Sequence, residues 1–315
     1  MVLGPIPASD SRFMRRVRLH QAWYRTEVLG VSAYGTLAVS GQPCASVLPD
    51  AAAERHLNFV GQEAIDRYLE RRQQGWGVDP IRCTKYLTSS QTLTFNMLAQ
   101  AVARSEACAK LFNRLLNRSD LELLESSVFE FAAQGTRYGL GDKTLLDMLL
   151  RFRTRDGSLQ VVALETKLAD RFSTRRTAAI GGAKYVALAG RSALWTDFEA
   201  AVRDNRTRQL TRCHALAQSV QEHDEPSDRH AVLLVLMHPE DHAGGRSVSD
   251  YAGHLAAEAL VVRTWDEYLS AARSAQALEG PLSEELNRRY VDLTWSDLAW
   301  RAFEESSLSP SRRSA

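Results

Sequence analysis

The chain of 315 residues is long enough to bury a substantial core, and its 44% hydrophobic and 24% charged residues are ordinary for a globular protein. Its net charge of +1 excludes a uniformly basic nucleic-acid-binding protein, so any such contact requires a local basic surface. The sequence has no signal-peptide pattern, no apolar run of about 18 residues, and four cysteines too widely spaced for a paired metal motif. We therefore expect a cytoplasmic protein with reduced thiols and no membrane contact.

The first part of the chain is predicted to be helical. Its Gly/Pro/Ala/Ser-rich stretch, residues 30–53, indicates a loop with at most a short strand. Periodic apolar residues predict helices over 12–29, 56–73 and 88–117, the last interrupted near Ser105. We therefore expect an N-terminal helical region over residues 1–87.

The second part alternates strands and helices. The pattern predicts a strand at 127–131, a hairpin at 144–168, a basic loop at 170–192, a helix at 197–221, strands at 231–237 and 259–263, and a helix starting at Trp265. This αβββαβ order is compatible with an α/β core that has a mixed central sheet flanked by helices. We assign residues 88–304 to this domain and expect disorder in the Ser/Arg/Pro-rich tail, residues 305–315.

The hairpin predicted over residues 144–168 contains the candidate catalytic residues. Two apolar, strand-like runs flank Asp156-Gly157, a dipeptide that commonly turns hairpins. Strand side chains alternate between two faces, so Glu165 and Lys167 project to the same side. Because burying an unpaired charge is costly, this pair is expected to face a metal, a substrate or each other.

The turn decides which face carries Asp147. A two-residue loop would pair Asp147 with Thr166 and point it away from Glu165. A three-residue loop with a left-handed Gly157 would pair Asp147 with Glu165, and such loops favour glycine there. Two acids beside a lysine make a site for metal-dependent phosphodiester hydrolysis, so we predict the three-residue loop. The opposite face is then expected to be buried against a helix through Leu146, Met148, Leu150, Phe152, Val162 and Leu164.

At these residues the chain resembles the PD-(D/E)XK nuclease superfamily, which is marked by an Asp on one strand and Glu-x-Lys on the next. A closer likeness is to bacterial restriction-endonuclease-like families, in which Asp-[Arg/Lys]-Thr-x-x-Asp precedes the Glu-x-Lys strand and a Ser-Ser-Gln helix lies upstream. The corresponding stretches here are Asp142 to Asp147, Leu164 to Lys167, and Ser89-Ser90-Gln91. The likeness covers about residues 15–290. It departs at Lys-Leu-Ala-Asp170, where Lys-Tyr-[His/Thr]-Glu is usual, which leaves Asp170 without an assigned role.

The resemblance implies a restriction-endonuclease-like fold with an N-terminal helical extension, and a catalytic set of Asp147, Glu165 and Lys167. Asp147, Glu165 and the backbone carbonyl of Thr166 would be metal ligands. Mg²⁺ is the expected ion, with Mn²⁺ as a substitute, because the site offers hard oxygen ligands.

Gln91, Arg175 and Arg176 are the candidate substrate-binding residues. Gln91 lies in the segment shared with the family and would orient the site or contact the phosphate backbone, but a residue near a helix N-terminus needs no such role. Arg175 and Arg176 follow the hairpin, and the planar donor fork of arginine suits phosphate. A solvated loop explains the two arginines equally well.

Other polar residues have simpler explanations. Glu130 on the strand before the hairpin could be a further ligand, although a solvated edge-strand glutamate is favoured. Asp142 follows a glycine and suits a turn, and the arginines at 203–212 suit a solvated helix face. The His238-Pro-Glu-Asp-His242 run superficially resembles a zinc motif, but no third or fourth ligand is apparent.

We interpret the sequence as a Mg²⁺-dependent endonuclease that hydrolyses DNA, in restriction or phage defence. DNA is the expected partner, with a homodimer or other defence-system subunits as further partners. The alternatives are a catalytically silent nuclease-fold binding module, since a fold does not fix function, and an RNA- or structure-specific repair nuclease. Removing Asp147 or Glu165 is expected to abolish cleavage and leave folding nearly intact.

Overall fold

A computed structural model describes residues 3–175, 182–226, 229–256 and 258–308. The N-terminal part is mainly helical, as predicted. Its elements are α1 Arg12–Trp23, followed by a π-helical turn Tyr24–Val28, β1 Gly35–Thr36, β2 Pro43–Cys44, α2 Asp50–Glu54, α3 Gln62–Gln73, α4 Pro80–Lys85, α5 Ser90–Val102 and α6 Ser105–Leu115.

The remaining elements surround a five-stranded sheet. They are β3 Leu121–Ala132, β4 Leu145–Thr154, β5 Leu159–Thr166, α7 Ala183–Ser192, α8 Phe198–Arg203, α9 Arg208–Asp224, β6 Val232–Met237, α10 His242–Ala252, β7 Leu260–Thr264, α11 Trp265–Ser274, α12 Gly280–Tyr290, a 3-10 turn Leu293–Ser296 and α13 Asp297–Leu308. The strand order is β3-β4-β5-β6-β7. Strands β3, β4 and β5 are antiparallel, whereas β5, β6 and β7 are parallel. The predicted α/β core with a mixed sheet is confirmed.

Helices cover both faces of the sheet. Residues of α5, α6 and α11 pack on one face, and residues of α7, α9 and α10 pack on the other. The six hairpin residues predicted to be buried all have zero exposure, and Phe112 of α6 lies 5.1 Å from Phe152, ring centre to ring centre. Five of the six lie in the α5/α6 cluster, and Leu146 lies in the α9 cluster. None of the described helices is both long and apolar enough to cross a membrane.

The turn of the hairpin has the predicted three-residue loop. Thr154 N donates to Ser158 O over 3.0 Å, and Gly157 N donates to Thr154 O over 2.8 Å. Gly157 has φ +80°, the left-handed conformation that glycine adopts without steric penalty. The ladder pairs Met148 with Leu164, so the next positions outward place Asp147 opposite Glu165. The register that unites the two acids is confirmed.

Several predicted boundaries were wrong. The predicted loop over 170–192 contains helix α7, whose Tyr185, Leu188 and Ser192 form one buried face at helical spacing. The predicted helix over 197–221 is two helices, because the chain turns at Asp204 and Thr207 Oγ1 donates to Ala201 O over 2.7 Å. Strand β3 is longer than predicted, and two register irregularities near its start accommodate the exposed charged residues there.

The boundary at residues 87/88 falls between α4 and α5. Val17, Phe59 and Tyr68 from the N-terminal side share one hydrophobic cluster with Leu93 and Phe95. We therefore propose that the boundary divides one shared core and does not separate two independently packed units. The predicted disordered tail overlaps α13, which extends to residue 308, while residues 309–315 lie outside the described part of the chain.

Three histidines, His20, His214 and His238, are buried, and burial lowers the pKa of each. His214 has zero exposure, its Nε2 lies 3.0 Å from Ala231 O, and its Nδ1 lies 3.0 Å from the Tyr251 hydroxyl. Burial lowers the pKa of His214 to about 4, and burial likewise lowers the pKa of His20 to about 4. The unfolded chain therefore binds more protons than the folded chain below the ordinary histidine pKa of 6.5.

We expect the free energy of unfolding to fall as the pH drops from 6.5 to 4, because protons bind first to the unfolded chain. The loss should reach about 3 kcal/mol for each of His20 and His214, at 1.36 kcal/mol per pKa unit. Urea unfolding at several pH values measures it. His214→Gln should flatten this dependence, and His242→Gln, at an exposed position, should leave it unchanged. Equal pH profiles for the wild type and His214→Gln would contradict the assignment.

Candidate active site

Three side chains meet where β4 begins and β5 ends. Asp147 lies near the start of β4, Glu165 near the end of β5, and Lys167 directly after β5. Glu165 is 1% exposed and Lys167 is 5% exposed, whereas Asp147 is half-buried. Lys167 Nζ lies 2.7 Å from Glu165 Oε1, so the buried charges face each other as the alternation of the strand predicted.

Helix α9 supplies two further partners of Glu165. Gln209 Nε2 donates to Glu165 Oε1 over 2.6 Å, and Cys213 Sγ lies 3.4 Å from Glu165 Oε2. Oε1 thus receives two strong donors, and Oε2 receives a weak thiol donor. Burial, followed by the negative charge of Glu165, raises the pKa of the Cys213 thiol well above its ordinary value. Glu165 is therefore fixed in place and keeps one oxygen only weakly engaged.

Asp147 is oriented by the residue between the glutamate and the lysine. Thr166 donates to Asp147 Oδ2 twice, from its backbone N over 2.7 Å and from Oγ1 over 2.8 Å. Thr94 of α5 lies 2.7 Å from the same hydroxyl, Oγ1 to Oγ1. Thr94 Oγ1 also donates to Ser90 O over 2.8 Å, so the single Thr94 proton is shared between Ser90 O and the Thr166 hydroxyl. Asp147 Oδ1 takes no hydrogen bond from any residue that the structure describes.

Lys167 is fixed by more distant parts of the chain. Its backbone N donates to Leu236 O over 2.8 Å, and its carbonyl accepts from Trp265 Nε1 over 2.9 Å. The Phe172 ring centre lies 5.0 Å from Nζ. Burial lowers the pKa of Lys167, but the Glu165 and Asp147 carboxylates outweigh burial and raise it above its ordinary value. The ammonium is thus the stable form.

Glu130 is a further acid at the site, and the expectation of a solvated edge residue was wrong. It is 2% exposed, and its Oε1 has no hydrogen-bond partner among the described residues. Its φ of +48° is rare for a non-glycine residue and turns the side chain out of the regular alternation. Burial, followed by the nearby charge of Asp147, raises the pKa of Glu130 well above its ordinary value. Burial and the Glu165 charge likewise raise the pKa of Asp147 to about 7.

These acids line a cleft of about 550 Å³. The cleft also contains Gln91 and Arg175, which the sequence predicted to contact substrate, while Arg176 lies outside the described residues. Both ends of the Gln91 amide contact backbone: Nε2 donates to Gly77 O, and Oε1 accepts from Asp79 N. Besides Lys167, the cationic residues that line the cleft are Arg82, Lys143, Arg171, Arg175 and Arg212. Five carboxylates, Asp79, Glu130, Asp147, Glu165 and Asp170, line the same cleft, so its cations surround an acidic centre and do not form a uniformly basic surface.

Three other sequence interpretations can be compared with the structure. Arg208 and Arg212 are buried, so the prediction of a merely solvated helix face was wrong for them, and Arg212 lines the cleft. Asp142 occupies a turn as predicted, where its Oδ1 accepts from Thr144 N over 3.1 Å. His238 contacts the Val291 carbonyl and the Glu240 N–H rather than another candidate ligand.

The donor set suits a hard divalent cation. Among the described residues, no group of three or more His, Cys, Asp or Glu side chains is arranged to hold a metal ion. Mg²⁺ needs fewer protein ligands, since it is commonly bound by one or two carboxylates, with waters and substrate phosphates completing the shell. Asp147 Oδ1 and Glu165 Oε2 are oxygen atoms of this kind, and Glu130 Oε1, which has no hydrogen-bond partner in the described part of the chain, lies in the same cleft. The residues present therefore fit the ion.

Comparison with known proteins gives one assignment. A family model described as PD-(D/E)XK nuclease superfamily matches residues 8–292. The chain belongs to the PD-(D/E)XK nuclease superfamily. No curated protein and no solved structure matches the chain significantly. Nucleases of this superfamily generally use divalent metals, in agreement with the oxygen-rich cleft.

Helix α9 contributes residues to the candidate active site that the sequence analysis missed. Gln209 and Cys213 are four residues apart and so share one face of the helix, which is the signal that could have identified them. Gln209 also accepts from Ser173 N over 2.5 Å, and Arg208 Nη1 donates to Thr174 O over 2.8 Å. The first turn of α9 thus connects Glu165 to the loop that carries Arg175.

We expect Gln209→Leu to weaken Mn²⁺ affinity and activity by about 10- to 100-fold, the usual effect of removing a hydrogen bond to a ligating carboxylate. The leucine can neither donate to Glu165 nor accept from Ser173. Isothermal titration with Mn²⁺ gives a readout independent of turnover. Gln218→Leu, on the same helix but bonded to Ala231 N, is the matched control and should change only stability. Unchanged Mn²⁺ affinity in Gln209→Leu would contradict this role.

Proposed function

We propose that this nuclease is a metal-dependent endonuclease that hydrolyses phosphodiester bonds in DNA. The observation that carries the proposal is the juxtaposition of Asp147, Glu165 and Lys167 in a cleft lined by cationic side chains. The acids supply oxygen ligands, the lysine supplies a positive charge, and the surrounding cations suit a polyanionic substrate.

Asp147 and Glu165 would hold the divalent ion, with the Thr166 carbonyl as a further ligand; Mg²⁺ is the proposed ion and Mn²⁺ its substitute. When bound, the ion supplies charge neutralisation at the scissile phosphate and lowers the pKa of a water. Thr166 and Thr94 orient Asp147, while Gln209 and Cys213 orient Glu165. Lys167 Nζ, next to Glu165, donates toward the phosphoryl oxygens and stabilises the charge that develops there.

The phosphate backbone would be bound by the cations of the cleft. Arg175 is exposed at its mouth, and Arg82 and Lys143 line it. Arginine contacts to phosphate position a strand without reading its bases. Gln91, already bonded to backbone, is proposed to keep the cleft wall in place next to Glu130, with any direct DNA contact secondary.

The direct test is incubation of the purified protein with supercoiled plasmid, linear duplex, single-stranded DNA and RNA, each with Mg²⁺, Mn²⁺ or EDTA. We expect nicked and linear plasmid with either metal and none with EDTA; a closed circle has no ends, so its cleavage is endonucleolytic. Asp147→Asn prepared in parallel excludes a contaminating nuclease. Cleavage of RNA alone would overturn the DNA assignment, and binding without cleavage would indicate a silent binding module.

DNA contact by Arg175 has a separate test. A plot of log affinity against log salt concentration has a negative slope, and Arg175→Ala should reduce its magnitude by roughly 0.9, the value for one duplex phosphate contact. Arg114→Ala changes the net charge equally, but Arg114 is an exposed residue of α6 that does not line the cleft, so the slope of this variant should match the wild type. Equal slopes for both variants would contradict a contact between Arg175 and a DNA phosphate.

A role in restriction or phage defence is proposed from the likeness to bacterial restriction-endonuclease-like families, together with a cytoplasmic location and a homodimer or defence-subunit partner. Phage plating on cells that express the wild type or Asp147→Asn tests the role. Protection that depends on Asp147 would support defence. Equal plaque counts on the two strains would contradict it.

A further inference from the structure

An exposed tryptophan lies in a loop beside the cleft of the candidate active site. Trp76 lies in the loop between α3 and α4 and is 47% exposed. It stands between Gly75, with φ +106°, and Gly77, with φ +123°. Tryptophan is on average a highly buried residue, so an indole exposed beside a candidate active-site cleft is available for contact with a ligand of that cleft.

The backbone that carries Trp76 is fixed, not loose. Arg71, which is 7% exposed, donates from Nη2 to Trp76 O over 2.9 Å and to Glu130 O over 2.8 Å, and from Nε to Phe129 O over 2.8 Å. A Cβ added at Gly77 would lie 2.7 Å from Arg71 Nη2, so the close approach requires glycine. One buried guanidinium therefore links the Trp76 loop to the strand position of Glu130.

The same loop continues into the cleft wall. Gly77 O accepts from Gln91 Nε2 over 2.9 Å, and Asp79 N donates to Gln91 Oε1 over 3.2 Å. Asp79, Gln91 and Glu130 all line the cleft that contains Asp147 and Glu165. Trp76 does not itself line the cleft, but the backbone of its loop is hydrogen-bonded to Arg71 and to Gln91 of the cleft wall, which places the loop beside the cleft.

We propose that Trp76 stacks on an unpaired nucleobase of the strand whose phosphate enters the cleft. This inference rests on the proposed function and names its substrate class: DNA that is single-stranded, mismatched or frayed next to the cut. The indole offers a flat apolar face, and every base has a matching face, so stacking tolerates any sequence. In a fully paired duplex the base faces are covered by their neighbours. Arg82 and Lys143 in the cleft would bind the adjoining phosphates.

Binding in Ca²⁺, which suppresses cleavage, tests the proposal with three fluorescent DNAs: a single strand, a closed dumbbell without ends, and the same dumbbell with a two-base mismatch. Trp76→Ala and Trp76→Leu should weaken binding to the single strand and the mismatched dumbbell by about 5- to 100-fold, the usual worth of one stacked base. Trp76→Phe keeps a ring and should retain most of the affinity. The paired dumbbell should bind all variants alike.

Trp295 provides the matched control. It is 54% exposed in the turn Leu293–Ser296, where it contacts the Trp23 ring. Trp295→Leu should bind every DNA like the wild type. Indole fluorescence should be quenched by the single strand in the wild type and in Trp295→Phe, and the quenching should shrink in Trp76→Phe. Because the Trp76 side chain is exposed, thermal melting of its variants should match the wild type.

The outcomes separate this inference from the proposed function. Metal-dependent cleavage by the wild type, with unchanged binding of Trp76→Leu to the single strand, would overturn stacking alone. Equal losses on all three DNAs would show a contact that does not depend on an unpaired base and would also overturn it. A wild type that neither binds nor cuts any nucleic acid would overturn both.

Discussion

Replacing Asp147 by asparagine should abolish metal-dependent cleavage while leaving the fold intact. The amide still accepts from Thr166 but provides a poor ligand for Mg²⁺, because it lacks the negative charge. A bound metal is worth several kcal/mol of transition-state stabilisation, so a loss of at least about 1,000-fold in rate is expected at 1.36 kcal/mol per factor of ten. Plasmid nicking at saturating Mg²⁺ measures the rate.

The same variant should be more stable than the wild type in EDTA. Asp147 lies among Glu165 and Glu130, and removing one of several neighbouring carboxylates relieves their repulsion. Asp142→Asn, a conservative change at the turn a few residues upstream, should retain wild-type activity. If Asp147→Asn cuts as fast as Asp142→Asn, the reaction takes place elsewhere on the molecule.

Lys167→Met should lower kcat by about 100- to 1,000-fold, the typical effect of removing one donor to a developing anion. Methionine keeps much of the buried volume near Phe172 and Glu165 but removes the charge. Affinity for DNA in Ca²⁺ should be nearly unchanged, because the exposed cations of the cleft remain. Single-turnover cleavage and binding titrations separate the two quantities. A loss of affinity with normal turnover would assign Lys167 to binding.

The buried ion pair makes stability a second readout of this substitution. Lys167→Met leaves Glu165 buried without its cation, and breaking such a pair costs about 3–5 kcal/mol. The double variant Glu165→Gln/Lys167→Met carries neither charge and should recover part of that loss in urea unfolding. Glu165→Ala alone leaves an unpaired buried lysine, so the structure leads us to expect a loss of stability for this variant rather than nearly intact folding. The repulsion argument applies to Asp147 instead.

The hairpin was predictable because local rules determine it. A glycine at the last loop position selects a three-residue turn, and a period of two then fixes which side chains share a face. The αβββαβ order followed from hydrophobic periodicity for the same reason. The catalytic and metal-binding roles of Asp147, Glu165 and Lys167 stay predictions until cleavage is measured.

The surroundings of the hairpin were not predictable, because they depend on contacts between distant segments. Nothing local favours a left-handed backbone at Glu130; the position is stabilised by Arg71, from a helix far back in the chain. Arg212 was expected on a solvated helix face and Gln209 was not singled out, because the sequence suggested one long helix. The break between α8 and α9 changes which side of α9 faces the sheet, and only the folded chain reveals it.

The backbone hydrogen bonds of Lys167 determine when, during synthesis of the chain, the candidate active site can be completed. Its backbone is bonded to Leu236 and to Trp265, and the Trp265 partner is 98 residues further along the chain. Ribosomes deliver residues from the N-terminus, so the hairpin with both acids emerges well before either partner. A nascent chain halted before β6 would present the acids with a lysine whose backbone has no fixed place. The candidate active site is therefore completed late in synthesis, when nearly the whole protein has left the ribosome.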